Sequence, residues 1–268
     1  MNNAVEHYLR EWGLTLDGEQ ATTRSSVLAP VRCGGVPAML KIARVEEERR
    51  GGALMAWWGG DGAARVLARD GQALLLERVE GENSLTQWAE HGRDDDASRL
   101  ICAVAARLHT PRVGSPPELV PLARWFAALE PAASMYGGVL KAAAEKARSL
   151  LAQPLESVVL HGDLHHGNVL DGGRRGWLAI DPKGLVGERG FDFANVFCNP
   201  APKVVTSPGR LARQASMIAG AAGLERKRLL EWVLAYAGLS AAWSLGDGQN
   251  PELSLSVAEL AAAELAEI

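Results

Sequence analysis

The stretch from Leu160 to Pro182 limits the folds open to this chain more than any other. It runs Leu160-His161-Gly162-Asp163-Leu164-His165-His166-Gly167-Asn168-Val169-Leu170 and returns at Ile180-Asp181-Pro182. Asp163 and Asn168 stand five positions apart between apolar flanks. Val169-Leu170-Asp171-Gly172-Gly173 reads as a strand and a turn, and Trp177 to Ile180 as the returning strand. A tight hairpin of this kind brings Asn168 and Asp181 to one mouth, although thirteen positions separate them. Phosphoryl transfer from ATP needs such a set. One carboxylate orients the attacking hydroxyl and can accept its proton, while an amide and a second carboxylate hold Mg2+ on the phosphates, and Asp163, Asn168 and Asp181 are groups of those types.

Other chemistries account for these residues less well. A zinc centre needs three or four ligands converging on one point, commonly from helix positions or paired Cys/His turns. Here Gly162 and Gly167 indicate a loop, Asn168 is a poor zinc ligand, and no Cys lies nearby. Asp163 as a hydrolytic nucleophile lacks a recognisable oxyanion arrangement. No G-x-x-x-x-G-K-[ST] run occurs, which removes the phosphate loop of P-loop enzymes. Packing alone has no need for Asp, Asn and a second Asp joined by a hairpin.

The flanking sequence supplies a small sheet and a larger set of helices. Leu14 to Leu16, Ser25 to Arg32 and Val36 to Ile42 read as strands, with Cys33-Gly34-Gly35 as a hairpin turn. Lys41 lies in the last of these among apolar neighbours. A helix is expected from Val45 to about Trp58, with Glu46, Glu47 and Glu48 in its first turn, where carboxylates suit the helix dipole. One of these acids, Glu48 foremost, is placed to pair with Lys41. Gly51-Gly52 weakens that helix, because each Gly costs ~1 kcal/mol relative to Ala. Ala63–Arg69 and Gln72–Val79 are apolar runs joined by Asp70-Gly71. Strand signals then fade, which sets a boundary between an N-terminal lobe at 1–79 and a helical lobe at 80–268. Asp94 to Leu108 has the periodicity of one buried helix face, and further helices are expected at 119–130, 136–153, 208–222, 225–245 and 251–267.

Bulk properties narrow the partners. A chain of 268 residues with 47% apolar and 22% charged residues can bury the cores of two lobes. A net charge of −4 offers no electrostatic footprint for nucleic acid, and suits a cationic substrate instead. Three scattered cysteines make no disulfide framework. Neither a signal peptide nor a membrane-spanning run is evident, so a cytoplasmic monomer with access to ATP is expected.

Taken in order and spacing, Lys41, Glu48, His161-Gly162-Asp163, Asn168 and Asp181 resemble the signature of aminoglycoside phosphotransferases, relatives of the protein kinases. Trp57-Trp58, Gly62-Ala63-Ala64-Arg65-Val66, Trp177-Leu178-Ala179-Ile180-Asp181-Pro182, Gly184-Leu185-Val186-Gly187-Glu188 and Leu239-Ser240-Ala241-Ala242-Trp243 are similar to the streptomycin 6-phosphotransferase branch. That branch shares a family with proteins labelled hydroxyurea phosphotransferases. The resemblance runs from about residue 12 to 265.

It implies an α+β, bilobal protein-kinase-like fold, with a small antiparallel-sheet N-lobe over a larger, mostly helical C-lobe. It also implies ATP- and Mg2+-dependent phosphorylation of a streptomycin hydroxyl at the 6-position, which confers antibiotic resistance. Lys41 would bind phosphates and pair with Glu48. Ser25 and Ser26 would lie in the nucleotide-covering loop, and the connection from Glu77 to Val79 would offer backbone groups to adenine. Asp163 would be the base, with Asn168 and Asp181 on the metal. The covering loop Thr22-Thr23-Arg24-Ser25-Ser26 lacks the glycines of protein kinases, and Pro182-Lys183 follows Asp181, which would put a cation where the γ-phosphate can be reached. A guanidinium-bearing acceptor calls for carboxylates and aromatic faces. Glu188 and Asp192 are the acids best placed by sequence, although an acid at Asp192 also suits bracing of the catalytic loop. Trp243 either stacks on a guanidinium or packs in the core, and Asp247 follows in a turn. Hydroxyurea or another small hydroxylated metabolite as acceptor, and a non-catalytic nucleotide-binding role, are the alternatives.

Overall fold

Period-two alternation builds the first half. The computed structural model describes residues 3–268. It opens with helix α1 (Asn3–Glu11) and strands β1 (Leu14–Leu16), β2 (Ala21–Thr22), β3 (Ser26–Cys33) and β4 (Val36–Ala43), followed by helix α2 (Glu46–Trp58) and strands β5 (Val66–Asp70) and β6 (Ala73–Glu77). The sheet is antiparallel in the order β1-β3-β4-β6-β5, with β2 beside β3. Val27, Ala29 and Val31 of β3 and Ala38, Leu40 and Ile42 of β4 share one buried face, and Val5 and Tyr8 of α1 cover it. That alternation turns Lys41 to the opposite face, towards α2. The N-terminal helix adds to the elements expected from the sequence.

Helices dominate the rest. They are α3 (Leu85–Glu90), α4 (Asp94–His109), α5 (Leu122–Trp125) behind the short strand β7 (Val120–Pro121), α6 (Leu129–Tyr136) and α7 (Val139–Ala152). Strands β8 (Ser157–Leu160), β9 (Val169–Asp171), β10 (Trp177–Ala179) and β11 (Leu185–Glu188) follow. A 3-10 stretch (Arg189–Cys198) then leads to helices α8 (Pro202–Val205), α9 (Arg210–Ala222), α10 (Arg226–Gly246) and α11 (Glu252–Ala266). The single helix expected over 119–130 is broken into pieces, because Val120–Pro121 pairs with β11 before the chain can coil.

The apolar interior does not divide where the sheet ends. Leu54, Met55 and Trp58 of α2 belong to the same cluster as Ile101, Leu108, Leu160 and Phe191 of the helical part. Helix α2 is therefore the joining piece between the sheet and the helices, and Gly51 inside it has a packing reason. A Cβ on Gly51 would lie 2.1 Å from the Pro182 carbonyl oxygen, so only Gly lets the helix approach the Asp181 corner this closely. Among the described residues no helix is long and apolar enough to cross a membrane.

Candidate active site

Strand β8 delivers the chain to Asp163, and a buried acid shapes the loop there. Asp192 accepts the His161 N–H (2.8 Å) and the Gly162 N–H (2.7 Å), and meets His109 Nε2 at 2.8 Å. Burial pushes this carboxyl up, but the His109 contact and the loop N–H groups outweigh it and hold the group below its ordinary range. Two backbone donors and an imidazole thus occupy Asp192. It folds the loop and does not face a ligand.

Asp163 is held with similar care and left open on one side. Asn195 Nδ2 donates to its Oδ1 at 2.8 Å, and Lys183 Nζ lies 3.6 Å from its Oδ2. Burial pushes its carboxyl up to about 6, with Lys183 opposing the rise and Asp181 adding to it. A carboxylate in that range is ionised at neutral pH and still basic enough to accept a proton.

The β9–β10 hairpin makes the second corner. Val169 pairs with Ala179, and the Ile180 N–H donates to the Asn168 carbonyl at 2.9 Å, so Asn168 and Asp181 leave the hairpin together. Asn168 Nδ2 donates to the Asp163 carbonyl at 2.8 Å, which leaves its Oδ1 as the free end of the amide. Asp181 has φ +63°, and it is the one non-glycine with a positive φ among the described residues. Lys41 bonds both Glu48 and Asp181, joining sheet, helix and hairpin in one charge cluster. Burial raises the Asp181 carboxyl, and Lys41 more than reverses this. An amide oxygen and a carboxylate beside each other are hard donors that fit Mg2+.

Next to Asp163 opens a cavity of about 710 Å³. Its walls come from Arg24 and Ser25 of the loop before β3, Glu47 and Arg50 of α2, Val120, Arg124, Trp125, Gly162, Lys183, Tyr236 in the middle of α10, and Trp243 and Asp247 at its end. Arg24 reaches across to Asp247 at 2.5 Å and so spans the mouth. Trp243 stands edge-on to Trp125 with ring centroids 5.4 Å apart, leaving one aromatic surface for the cavity.

Several sequence expectations change here. Glu188 does not line the cavity. It is buried against Arg228 (2.6 Å), the Trp232 indole N–H (2.8 Å) and the Leu155 N–H (3.0 Å). The reason is register: Glu188 ends β11 on the face turned to α10. Asp192 also fails to reach the cavity, since its oxygens are taken up by the loop. Of the serine pair, Ser25 borders the cavity, whereas Ser26 is buried with its hydroxyl 3.2 Å from Thr23 Oγ1. The Glu77 carboxylate binds Arg175 and the Arg65 N–H, and its own N–H donates to the Arg65 carbonyl at 2.9 Å, so its side chain is not free for a ligand. Glu77 and Val79 line a smaller groove of about 280 Å³.

The sequence profile of the aminoglycoside/hydroxyurea antibiotic resistance kinases matches residues 11–248. The chain belongs to that family. It is 52% identical to a streptomycin 3''-kinase of Klebsiella pneumoniae over 90% of this chain and 92% of the relative. It is 31% identical to a streptomycin 6-kinase of Streptomyces griseus over 97% of this chain and 87% of the relative. Aminoglycoside phosphotransferase APH(3'')-Id from Streptomyces rimosus has the same fold, with TM-score 0.63 at 18% identity, covering 89% of this chain and 99% of that one. The protein-kinase-like bilobal fold follows from this likeness.

In this family member Asn195, which holds Asp163, and Glu47, which holds Lys183 beside it, had no visible signal in the sequence. Asn195 sits in the apolar run Phe191–Phe197, which reads as core. Glu47 reads as one of three interchangeable helix acids, yet of the three it is the one in contact with Lys183, at 3.2 Å.

Proposed function

We propose that this protein transfers the γ-phosphoryl group of ATP to a hydroxyl of streptomycin, with the 3''-hydroxyl as acceptor. The observation that carries the reading is the double exposure of Asp163: its carboxylate borders the cavity and lies beside the Asn168 amide. An acceptor hydroxyl in the cavity would give its proton to Asp163 as it attacks. Asn195 fixes the carboxylate rotamer, so no reorientation is needed at that moment. Lys41 would bind phosphate oxygens, with Glu48 steadying its ammonium. Asn168 and Asp181 would hold Mg2+, which neutralises charge on the phosphates when bound. Ser25 and the main chain at Glu77 and Val79 would meet the nucleotide.

Support for streptomycin comes from the Klebsiella relative. The resemblance of the motifs points to the 6-position, but the 52% identity to a 3''-kinase favours the 3''-hydroxyl over the 6-hydroxyl of the 31% relative. The 6-hydroxyl is the second reading. A cationic acceptor would displace Arg24 from Asp247 and stack on Trp243. Phosphorus–proton correlation NMR of the product tests this: phosphate on C3'' is expected. Phosphate on C6 moves the acceptor, and ADP release only with hydroxyurea or another small alcohol replaces the substrate. No release with any acceptor favours the binding-only role.

A further inference from the structure

Among the described residues, Lys183 is the cation that approaches Asp163 from the cavity side as a firmly held group. Its Nζ lies 3.6 Å from Asp163 Oδ2 and 3.2 Å from Glu47 Oε1. Its own N–H donates to the His161 carbonyl at 2.7 Å, which ties its backbone to the catalytic loop. Gly162, at φ +85°, has no Cβ, and one built there would stand 3.1 Å from Lys183 Cβ. The stem of Lys183 therefore lies directly on the loop that carries Asp163. Gly51 and Gly184 let α2 press against the same segment from the other side. The ammonium is thereby fixed relative to the base.

Several neighbouring basic groups have partners of their own, and Arg50 and Arg124 share the cavity wall with Lys183. Lys41 is committed to Glu48 and Asp181. His161 points Nε2 at the Ile180 carbonyl, and His165 accepts the Gly167 N–H at Nδ1. Arg24 is held at the rim by Asp247. A partly buried ammonium shared between two carboxylates is a weak structural element, because desolvating it costs free energy that a packed apolar side chain would avoid. Its place beside the base, on the cavity wall, suits a group that receives charge during reaction.

We propose that Lys183 is a further catalytic residue, contacting the non-bridging oxygens of the γ-phosphoryl group in transit, with Glu47 as its positioning residue. This rests on the kinase reading above. In the step, the acceptor oxygen forms a new bond to phosphorus and the bond from phosphorus to the β–γ bridging oxygen breaks. ADP leaves with that electron pair, and the hydroxyl proton passes to Asp163. Lys183 exchanges no proton. Charge on the equatorial oxygens is spread furthest in the transition state, where a pre-placed cation acts most strongly.

The test is Lys183→Met in the full chain, read by turnover and by affinity for magnesium ADP with aluminium fluoride, a planar mimic of the phosphoryl group in flight. The expected result is a kcat lower by about 10²-fold or more, with aluminium fluoride–ADP affinity reduced by a similar factor and ADP alone bound as in wild type. Lys183→Arg should restore part of both. Unchanged kcat overturns the proposal. So does a lower kcat with unimpaired binding of the mimic, since that would make Lys183 a brace for Asp163. Should Lys183→Met fail to fold, Glu47→Gln decides the matter through the same two measurements: both must fall, and wild-type values for either overturn it. Failure of the kinase reading looks different, because wild type itself would then release no ADP with any acceptor.

Discussion

The corner proposed to hold the phosphates and the cavity proposed to take the acceptor meet at Asp163 but are assembled differently. Lys41, Glu48, Asn168 and Asp181 come from one strand, one helix and one hairpin, and their charges bind one another. The cavity draws on the Arg24 loop, α2, the β7–α5 corner, the catalytic loop and the far end of α10. Its acids already have partners: Asp247 holds Arg24, and Glu47 holds Lys183. The corner is thus a self-contained electrostatic unit fit for phosphates. The cavity is an assembly of remote walls, which a change in any one segment can reshape. On the proposed function, chemistry and specificity are separable for that reason.

The sharpest attack on the comparison is Asp163→Asn, which touches both regions. Turnover should fall by about 10³-fold while ATP affinity stays near wild type, measured by steady-state kinetics and calorimetry. A parallel loss of ATP affinity would mean that the corner and the base are one unit.

Next comes Glu188→Ala, which removes an acid that sequence position alone assigns to the cavity. Breaking its buried contacts with Arg228, Trp232 and Leu155 should cost about 3 kcal/mol of stability, read by denaturant melts, with acceptor KM unchanged. The pH dependence has a defined sign. Burial raises the Glu188 carboxyl, but Arg228 and the N–H donors outweigh it and hold it below the ordinary 4.5. Its contribution is therefore complete above that pH and disappears as the pH falls through the folded value. The variant should lack this part of the acid loss.

Gly51→Ala separates local propensity from the fit of the two regions. Helix propensity alone offers ~1 kcal/mol in favour of Ala. The added methyl meets the Pro182 carbonyl, so a net destabilisation of about 1–3 kcal/mol with a lower kcat is expected, from melts and kinetics together. A stabilised, fully active variant would show that α2 does not position the corner.

Trp243→Ala has the smallest effect and is confined to the cavity. Losing a ring–guanidinium contact of about 1–2 kcal/mol should raise acceptor KM roughly tenfold and leave the ATP KM alone. An effect on stability only would assign Trp243 to packing against Trp125 and Tyr236.

Much of the corner was legible because its parts are local. Asp163, Asn168 and Asp181 lie within one loop and one hairpin, and strand alternation alone turns Lys41 away from Leu40 and Ile42. The cavity was poorly legible. Glu188 and Asp192 carry the right charge in the right stretch, yet one belongs to Arg228 and the other to the loop N–H groups. Residue type does not say whether Trp243 stacks or packs, and the apolar run around Asn195 hides it.

By itself the sequence determined the chemistry-bearing motif, the main sheet strands and most of the long helices, and the family, since periodicity and short-range spacing act along the chain. Tertiary structure alone decided which acids face a ligand, why Gly51 must be Gly, and which residues hold Asp163. Those outcomes depend on contacts between segments far apart in sequence, where burial and hydrogen-bond partners, not residue type, determine what a side chain can do.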